Sequence, residues 1–102
     1  MSTVTHKLSA PIQAHGEEVT ELELRRPTVQ ECRAIKVLPY TIGGDGYPIA
    51  EVEAAAKYIA VCAKIPPTSV NQMALADLNK VIWTIIGFFL PADSETSEES
   101  SI

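Results

Sequence analysis

Residues 3–25 read TVTHKLSAPIQAHGEEVTELELR, and this stretch decides the fold class. Two runs of alternating apolar and polar residues flank the central His15 and Gly16. A period of two places successive side chains on opposite faces, which is typical of a half-buried β-strand. Gly16 readily adopts the positive φ that a tight turn requires. The stretch therefore predicts an antiparallel β-hairpin at the start of the chain.

The pairing register of this hairpin follows from matching the apolar faces of its two strands. The predicted pairs are Leu8 with Leu24, Ala10 with Leu22, and Ile12 with Thr20. A slip by one residue would place apolar side chains opposite charged ones. The predicted register leaves a three-residue loop at 15–17. Pro11 requires an edge position because it cannot donate a ladder hydrogen bond. A lone hairpin is marginal in water, so this one is expected to lie on helices or on another subunit.

A helix signal follows the hairpin. Thr28-Val29-Gln30-Glu31 has the form of a capping box, in which the first and last side chains accept hydrogen bonds from each other's backbone amides. We expect a short helix from there to about Lys36. The glycine-rich stretch 43–46 then predicts a loop, and it lacks the glycine spacing of a phosphate-binding motif.

A second helix is predicted to open within 45–48, with Pro48 in its first turn, where a missing amide costs little. Its apolar stripe comprises Ile49, Val52, Ala56, Ile59 and Ala63. Pro66 and Pro67 are expected to end it, because proline cannot continue a helix. Either Thr68 or Ser69 is then expected to cap a single turn.

The last helix, expected from about Leu75 to Leu90, is unusual because its second half is apolar on nearly every side. The stripe expected to pack on the second helix comprises Leu75, Leu78, Ile82, Ile85 and Phe89. The remaining apolar residues then lie at its flanks or outside, and the candidate partner-binding residues among them are Trp83, Ile86, Phe88 and Leu90. A contiguous exposed patch marks an interaction surface. Two alternatives stay open: the helix is buried beneath the hairpin and the other helices, or a homo-oligomeric contact covers the patch.

These elements predict one α+β domain over residues 1–90, a hairpin followed by three main helices, of which the last two pack antiparallel. Residues 91–102 hold four acidic residues and no Lys or Arg. Their low apolar content predicts a disordered acidic C-terminal tail.

The distribution of charge and hydropathy limits the classes of partner. Because four of the 13 acidic groups lie in the tail, residues 1–90 hold nine acidic and eight basic groups. No clustered basic face is present to neutralise phosphates, so a nucleic-acid partner is not expected. The Arg25-Arg26 pair is interpreted as a solvated strand end. The longest apolar run, 81–90, is about half a bilayer-spanning helix, and the N-terminus lacks the apolar core of a signal peptide, so we expect no membrane partner and a cytoplasmic location.

The residues that usually carry catalysis are few and scattered. Cys32 and Cys62 lack the spacing of a metal site or a disulfide framework. His6 and His15 lie near no nucleophile motif. His6 shares the even positions of its strand with the apolar residues, so it is interpreted as a partly buried packing residue. We therefore expect no enzymatic activity, no metal and no cofactor.

Four segments of the chain carry a family resemblance: KLSAPI at 7–12, HGEEVTEL at 15–22, LRRPT at 24–28 and IPPTSV at 65–70. In this order they resemble the small tail assembly chaperones of Mu-like and related contractile-tailed phages, over about residues 4–90. The resemblance implies a non-catalytic protein of the host cytoplasm that holds the helical tape measure protein soluble until tail tube subunits replace it. It often also implies a longer second product, made by translational frameshifting.

This implied function agrees with an acidic chain that has an excess of apolar helix surface, since such a surface suits binding of apolar helices. The expected partner is the tape measure protein, with the tail tube protein and a second copy of the chain as further candidates. Two other function classes stay open. A structural subunit of the tail or baseplate would remain in purified virions, and an unrelated cytoplasmic adaptor or enzyme subunit would differ in gene neighbourhood.

Overall fold

The predicted hairpin begins the fold. In the computed structural model, which describes residues 3–90, strand β1 (Thr3–Ala14) pairs antiparallel with strand β2 (Glu17–Arg25). His15 and Gly16 join the two strands with φ values of 54° and 76°. Positive φ at both central positions is the geometry of a two-residue type I′ turn. The predicted three-residue loop at 15–17 is therefore wrong.

The predicted register is also wrong. The observed pairs include Val4 with Leu24, His6 with Leu22, and Ile12 with Val19. The register shifts between Lys7 and Ile12, because residues 8–11 of β1 lie opposite the single residue Thr20. The alternating pattern of β1 does not reveal this bulge, because the apolar residues before and after it all occupy even positions and the pattern continues without a break. Leu22 and Leu24 still point into the core, as predicted.

The capping box forms as predicted. Helix α1 (Val29–Ile35) follows Thr28, whose Oγ1 accepts a hydrogen bond from the Glu31 amide at 3.1 Å. The Glu31 carboxylate accepts one from the Thr28 amide at 2.9 Å. Lys36, with φ of 78°, ends the helix in the left-handed region. The predicted short helix is confirmed.

The glycine-rich stretch is the turn of a second, small hairpin, which the sequence pattern did not indicate. Strand β3 (Tyr40–Ile42) pairs with strand β4 (Pro48–Ala50), and the Gly43 amide donates to the Tyr47 carbonyl at 2.8 Å. Pro48 therefore begins a strand, and the prediction that a helix opens within 45–48 is wrong. Helix α2 (Val52–Ala63) begins only after this hairpin has closed.

The second half of the chain is helical, as predicted. The single turn α3 (Pro67–Val70) starts at Pro67 itself, so the predicted cap at Thr68 or Ser69 is wrong. Helix α4 (Leu75–Phe89) confirms the predicted last helix to within one residue at its C-terminal end. Within the described residues the fold is α+β, a hairpin followed by three main helices. The predicted tail at 91–102 lies outside those residues.

The core lies where α4 packs against both β1 and α2. Its most buried members are Ile12, Leu22, Leu24, Ala55, Tyr58, Ile59, Cys62, Val81, Ile82, Ile85 and Ile86. Burial of each large aliphatic side chain contributes about 1.5–3 kcal/mol. Because α4 has neighbours on two sides, it buries more of its circumference than a one-sided amphipathic helix.

The free edge of β1 is covered by side chains from the region of α3 and α4. The carboxylate of Asp77, which is 5% exposed, accepts hydrogen bonds from the Ser9 amide at 2.9 and 3.1 Å and from the Ser9 hydroxyl at 3.0 Å. The Gln13 amide donates to Gln72 Oε1 at 2.7 Å, and the Gln13 carbonyl accepts from the Ser69 hydroxyl at 2.6 Å. These contacts satisfy backbone groups that an edge strand would otherwise leave open to another chain.

Candidate partner-binding surface

The outer side of α4 presents an exposed aromatic side chain beside a glycine. Trp83 is 44% exposed and Leu90 is 36% exposed. Gly87 is also exposed and lies one turn beyond Trp83, on the same side of the helix. A Cβ atom added at Gly87 would meet nothing within 4 Å, so the helix surface is open beside the indole ring. We call the outer side formed by Trp83, Gly87 and Leu90 the Trp83 face.

The structure places other residues of α4 differently from the sequence prediction, some in the core and one at the surface. Ile86 is 1% exposed and belongs to the core, so the prediction that it lies at the surface is wrong. Val81, also expected at a flank or outside, is fully buried. Leu75, assigned to the packing stripe, is 82% exposed. Val81 and Ile86 are buried because α4 packs against both α2 and β1. The exposed face of α4 is therefore narrower than the sequence pattern indicated.

Phe88 lies at the border of this face and is half-buried. The guanidinium carbon of Arg26 lies 5.2 Å from the centre of its ring, within the range of a cation–π contact. Arg26 Nη1 also donates to the Phe88 carbonyl at 3.1 Å, where a positive charge complements the C-terminal end of the helix dipole. Arg26 thus occupies part of the aromatic surface that Phe88 would offer to a partner.

The neighbouring Arg25 holds the end of β2 against α1. Its Nη1 and Nη2 donate to the two carboxylate oxygens of Glu31 at 2.9 and 2.6 Å. This pairing with Arg25, aided by the Thr28 amide, lowers the pKa of the Glu31 carboxyl to about 2, from an ordinary value of 4.5. Arg25 is the last residue of β2 and is partly exposed, and Arg26 is exposed, which agrees with the interpretation of this pair as a solvated strand end, although both arginines also have defined partners.

The two thiols lie near a buried tyrosine. The Tyr58 hydroxyl donates to the Val37 carbonyl at 2.5 Å and lies 3.2 Å from Cys32 Sγ. Burial raises the pKa of Tyr58, and burial also raises the pKa of Cys62 to about 11. A thiol that is protonated at neutral pH is a weak nucleophile. The environment of Cys62 is therefore that of a packing residue.

Most of the exposed large apolar residues lie elsewhere, between residues 29 and 52. Within the described part of the chain, ten large apolar residues are exposed, and seven belong to this segment. They are Val29, Val37, Leu38, Ile42, Tyr47, Ile49 and Val52. The prediction that two of these residues, Ile49 and Val52, lie in the packing stripe of the second helix is wrong, because Ile49 lies in β4 and the two side chains are 54% and 56% exposed.

Three neighbouring grooves connect this segment with the helices. The largest, of 710 Å³, follows α2 and shares Glu53 and Lys57 with a second groove of 520 Å³. Leu38 lines the second groove and also a third, of 360 Å³, which reaches Phe88 at the end of α4. The three grooves therefore adjoin one another from the C-terminal end of α4 to the outer side of α2, with the charged side chains of Glu53 and Lys57 between the first two.

The chain matches the model of a known protein family. The family described as "Phage tail assembly chaperone proteins, E, or 41 or 14" has a model that matches residues 5–90. The chain belongs to this family. The matched range covers both hairpins and all three main helices of the chaperone, apart from the first two residues of β1. No curated protein and no solved structure matches the chain.

The histidines of the chaperone have structural partners. His6 is partly buried, and its Nε2 lies 2.7 Å from Thr84 Oγ1, which itself donates to the Lys80 carbonyl. His15 Nε2 lies 2.9 Å from the Lys64 carbonyl. In residues 3–90, no group of three or more His, Cys, Asp or Glu residues is placed to hold a metal ion. No helix in that range has both the length and the apolar character needed to cross a membrane.

Proposed function

We propose that this chaperone binds apolar helical segments of the tape measure protein and keeps them soluble in the host cytoplasm while the tail assembles. Membership of the tail assembly chaperone family, over residues 5–90, is the observation that carries the proposal. The proposed role is one of binding, without catalysis or cofactor. Tail tube subunits are the proposed successors of the chaperone on the same segments.

The Trp83 face supports this proposal through its chemistry. An exposed indole next to a glycine can receive apolar side chains spaced one helical turn apart on a partner helix. Aromatic anchors of this kind usually dominate the affinity of an interface. We assign the contact to Trp83, with Phe88 and Leu90 at its border, whereas Ile86 supports the face from beneath.

Replacement of Trp83 by Ala tests the assignment. We expect Trp83→Ala to weaken binding of the tape measure protein by about 1–3 kcal/mol, measured as loss of soluble tape measure protein on co-expression. The matched control is Leu75→Ala, on the same helix and 82% exposed, which should retain the partner. Thermal unfolding should show that both variants fold like the wild type, because neither side chain is buried.

A third variant separates binding from folding. Ile86→Ala should lower the free energy of unfolding by about 2–5 kcal/mol, because it leaves a cavity in the core. A folded Trp83→Ala variant that keeps the tape measure protein as soluble as the wild type does would rule out the Trp83 face as the binding site.

A further inference from the structure

Helix α4 carries one exposed charge, and that charge is positive. Lys80 is exposed and lies three residues before Trp83, so the two side chains lie on the same side of the helix. The other charged residue of α4, Asp77, is 5% exposed and accepts hydrogen bonds from Ser9. A partner that contacts the indole ring of Trp83 therefore meets the Lys80 ammonium group beside it.

A second positive charge lies about two turns further along the same side of α4. The guanidinium of Arg26 contacts the ring and the carbonyl of Phe88, but Arg26 is exposed and retains further N–H groups that can donate to a partner. Phe88 follows Lys80 by eight residues, which is about 12 Å along a helix. At 3.6 residues per turn, Lys80 lies between Trp83 and Phe88 around the helix. Lys80 and Arg26 therefore follow one border of the Trp83 face.

The acidic residues of the described chain lie away from this border. The groove that reaches Phe88 has Arg33 as its one charged lining residue. Glu21 and Glu23 alternate with the buried Leu22 and Leu24, so they face away from the helices. The others lie at the first hairpin turn, in the pair with Arg25, in the second hairpin turn and in the groove beside α2: Glu17, Glu18, Glu31, Asp45, Glu51 and Glu53.

We propose that the tape measure segment bound at the Trp83 face is an amphipathic helix whose apolar stripe is bordered by acidic residues about seven positions apart. This inference rests on the proposed function and adds the chemistry of the partner. A helix lying along α4 places an apolar side chain against Trp83, and carboxylates two turns apart then reach Lys80 and Arg26. Charges that border an apolar seam select the partner of a packed helix. The positive border is a local reversal of the net charge of −5.

Three synthetic helical peptides test the charge preference. They share one stripe of leucines and differ at two bordering positions seven residues apart, which hold Glu, Gln or Lys. Calorimetric titration of the full-length chain should show that the Glu peptide binds roughly threefold to tenfold more tightly than the Lys peptide, with the Gln peptide between them. Higher salt should reduce the difference, because exposed charges are screened.

Reversal of one charge tests the role of Lys80. Lys80→Glu should reverse the order of the Glu and Lys peptides. The matched control is Lys57→Glu, which makes the same change of net charge at an exposed position on α2 and should keep the wild-type order. Circular dichroism should show the native fold for both variants, since both lysines are exposed.

Trp83→Ala separates this inference from the proposed binding face, because it should weaken all three peptides alike. If it does so while Lys80→Glu leaves the wild-type order unchanged, the Trp83 face stands and the acidic partner is refuted. If Trp83→Ala binds every peptide as the wild type does, the face itself is refuted. Equal affinity of the wild type for the three peptides would also overturn the inference. So would tighter binding of the Gln peptide by Lys80→Glu, because that result would identify the chain's own acidic residues in 91–102 as the occupant.

Discussion

Glu31 acts in two interactions at the start of α1. It closes the capping box with Thr28 and receives both guanidinium nitrogens of Arg25. The first interaction could be predicted, because the capping box is a pattern of four consecutive residues. The second could not, because it depends on how the chain turns between the end of β2 and α1.

The Arg25–Glu31 pair predicts a specific dependence of stability on pH. Because the pKa of Glu31 is lowered from 4.5 to about 2 by folding, its contribution is complete above pH 4.5 and is lost as the pH falls toward 2. At pH 7, Glu31→Gln should reduce the free energy of unfolding by at most about 1 kcal/mol, since the pair is partly exposed. Glutamine can still accept the Thr28 hydrogen bond, so the variant isolates the ion pair.

Urea unfolding at a series of pH values would measure this effect. The difference between wild type and Glu31→Gln should shrink between pH 4.5 and 2, because a protonated glutamate resembles glutamine in charge. A difference that stays constant over this range would contradict the assigned ion pair.

At the scale of elements, alternation predicted both strands of the first hairpin and their inward faces, but not their register. Within the bulge at residues 8–11, the Ser9 amide donates to the carboxylate of Asp77, which is 68 residues away in sequence. Similarly, the last helix was predicted from its apolar run, while the burial of Ile86 depends on which neighbours pack on two sides of α4. Strands of three residues, such as β3 and β4, are too short to show a period.

Removal of the Asp77 carboxylate should loosen the bulge. Asp77→Ala leaves the Ser9 amide without its acceptor and should lower the free energy of unfolding by about 1–3 kcal/mol. Hydrogen exchange at the Ser9 amide should accelerate at the same time. Asn79→Ala, at an exposed position on the same helix, should change stability by no more than about 0.5 kcal/mol. Unchanged Ser9 exchange in Asp77→Ala would show that this contact does not hold the bulge.

At the scale of the whole molecule, the sequence was sufficient for the fold class, the order of the main elements and the family. It was insufficient for the location of the exposed apolar surface. An apolar residue in a loop segment looks the same in sequence whether it packs inward or faces solvent. The difference depends on tertiary contacts, such as the hydrogen bond from Tyr58 to the Val37 carbonyl, which fixes the backbone next to Leu38.

The chain contains a single tryptophan, and its half-exposed position on α4 gives the chaperone a built-in optical reporter. Indole fluorescence shifts to shorter wavelength when water leaves the ring, so addition of an apolar tape measure helix should shift the emission maximum to the blue. An emission maximum that stays constant when the partner binds would place the contact away from Trp83. Titrations without any attached dye can therefore follow binding at the Trp83 face.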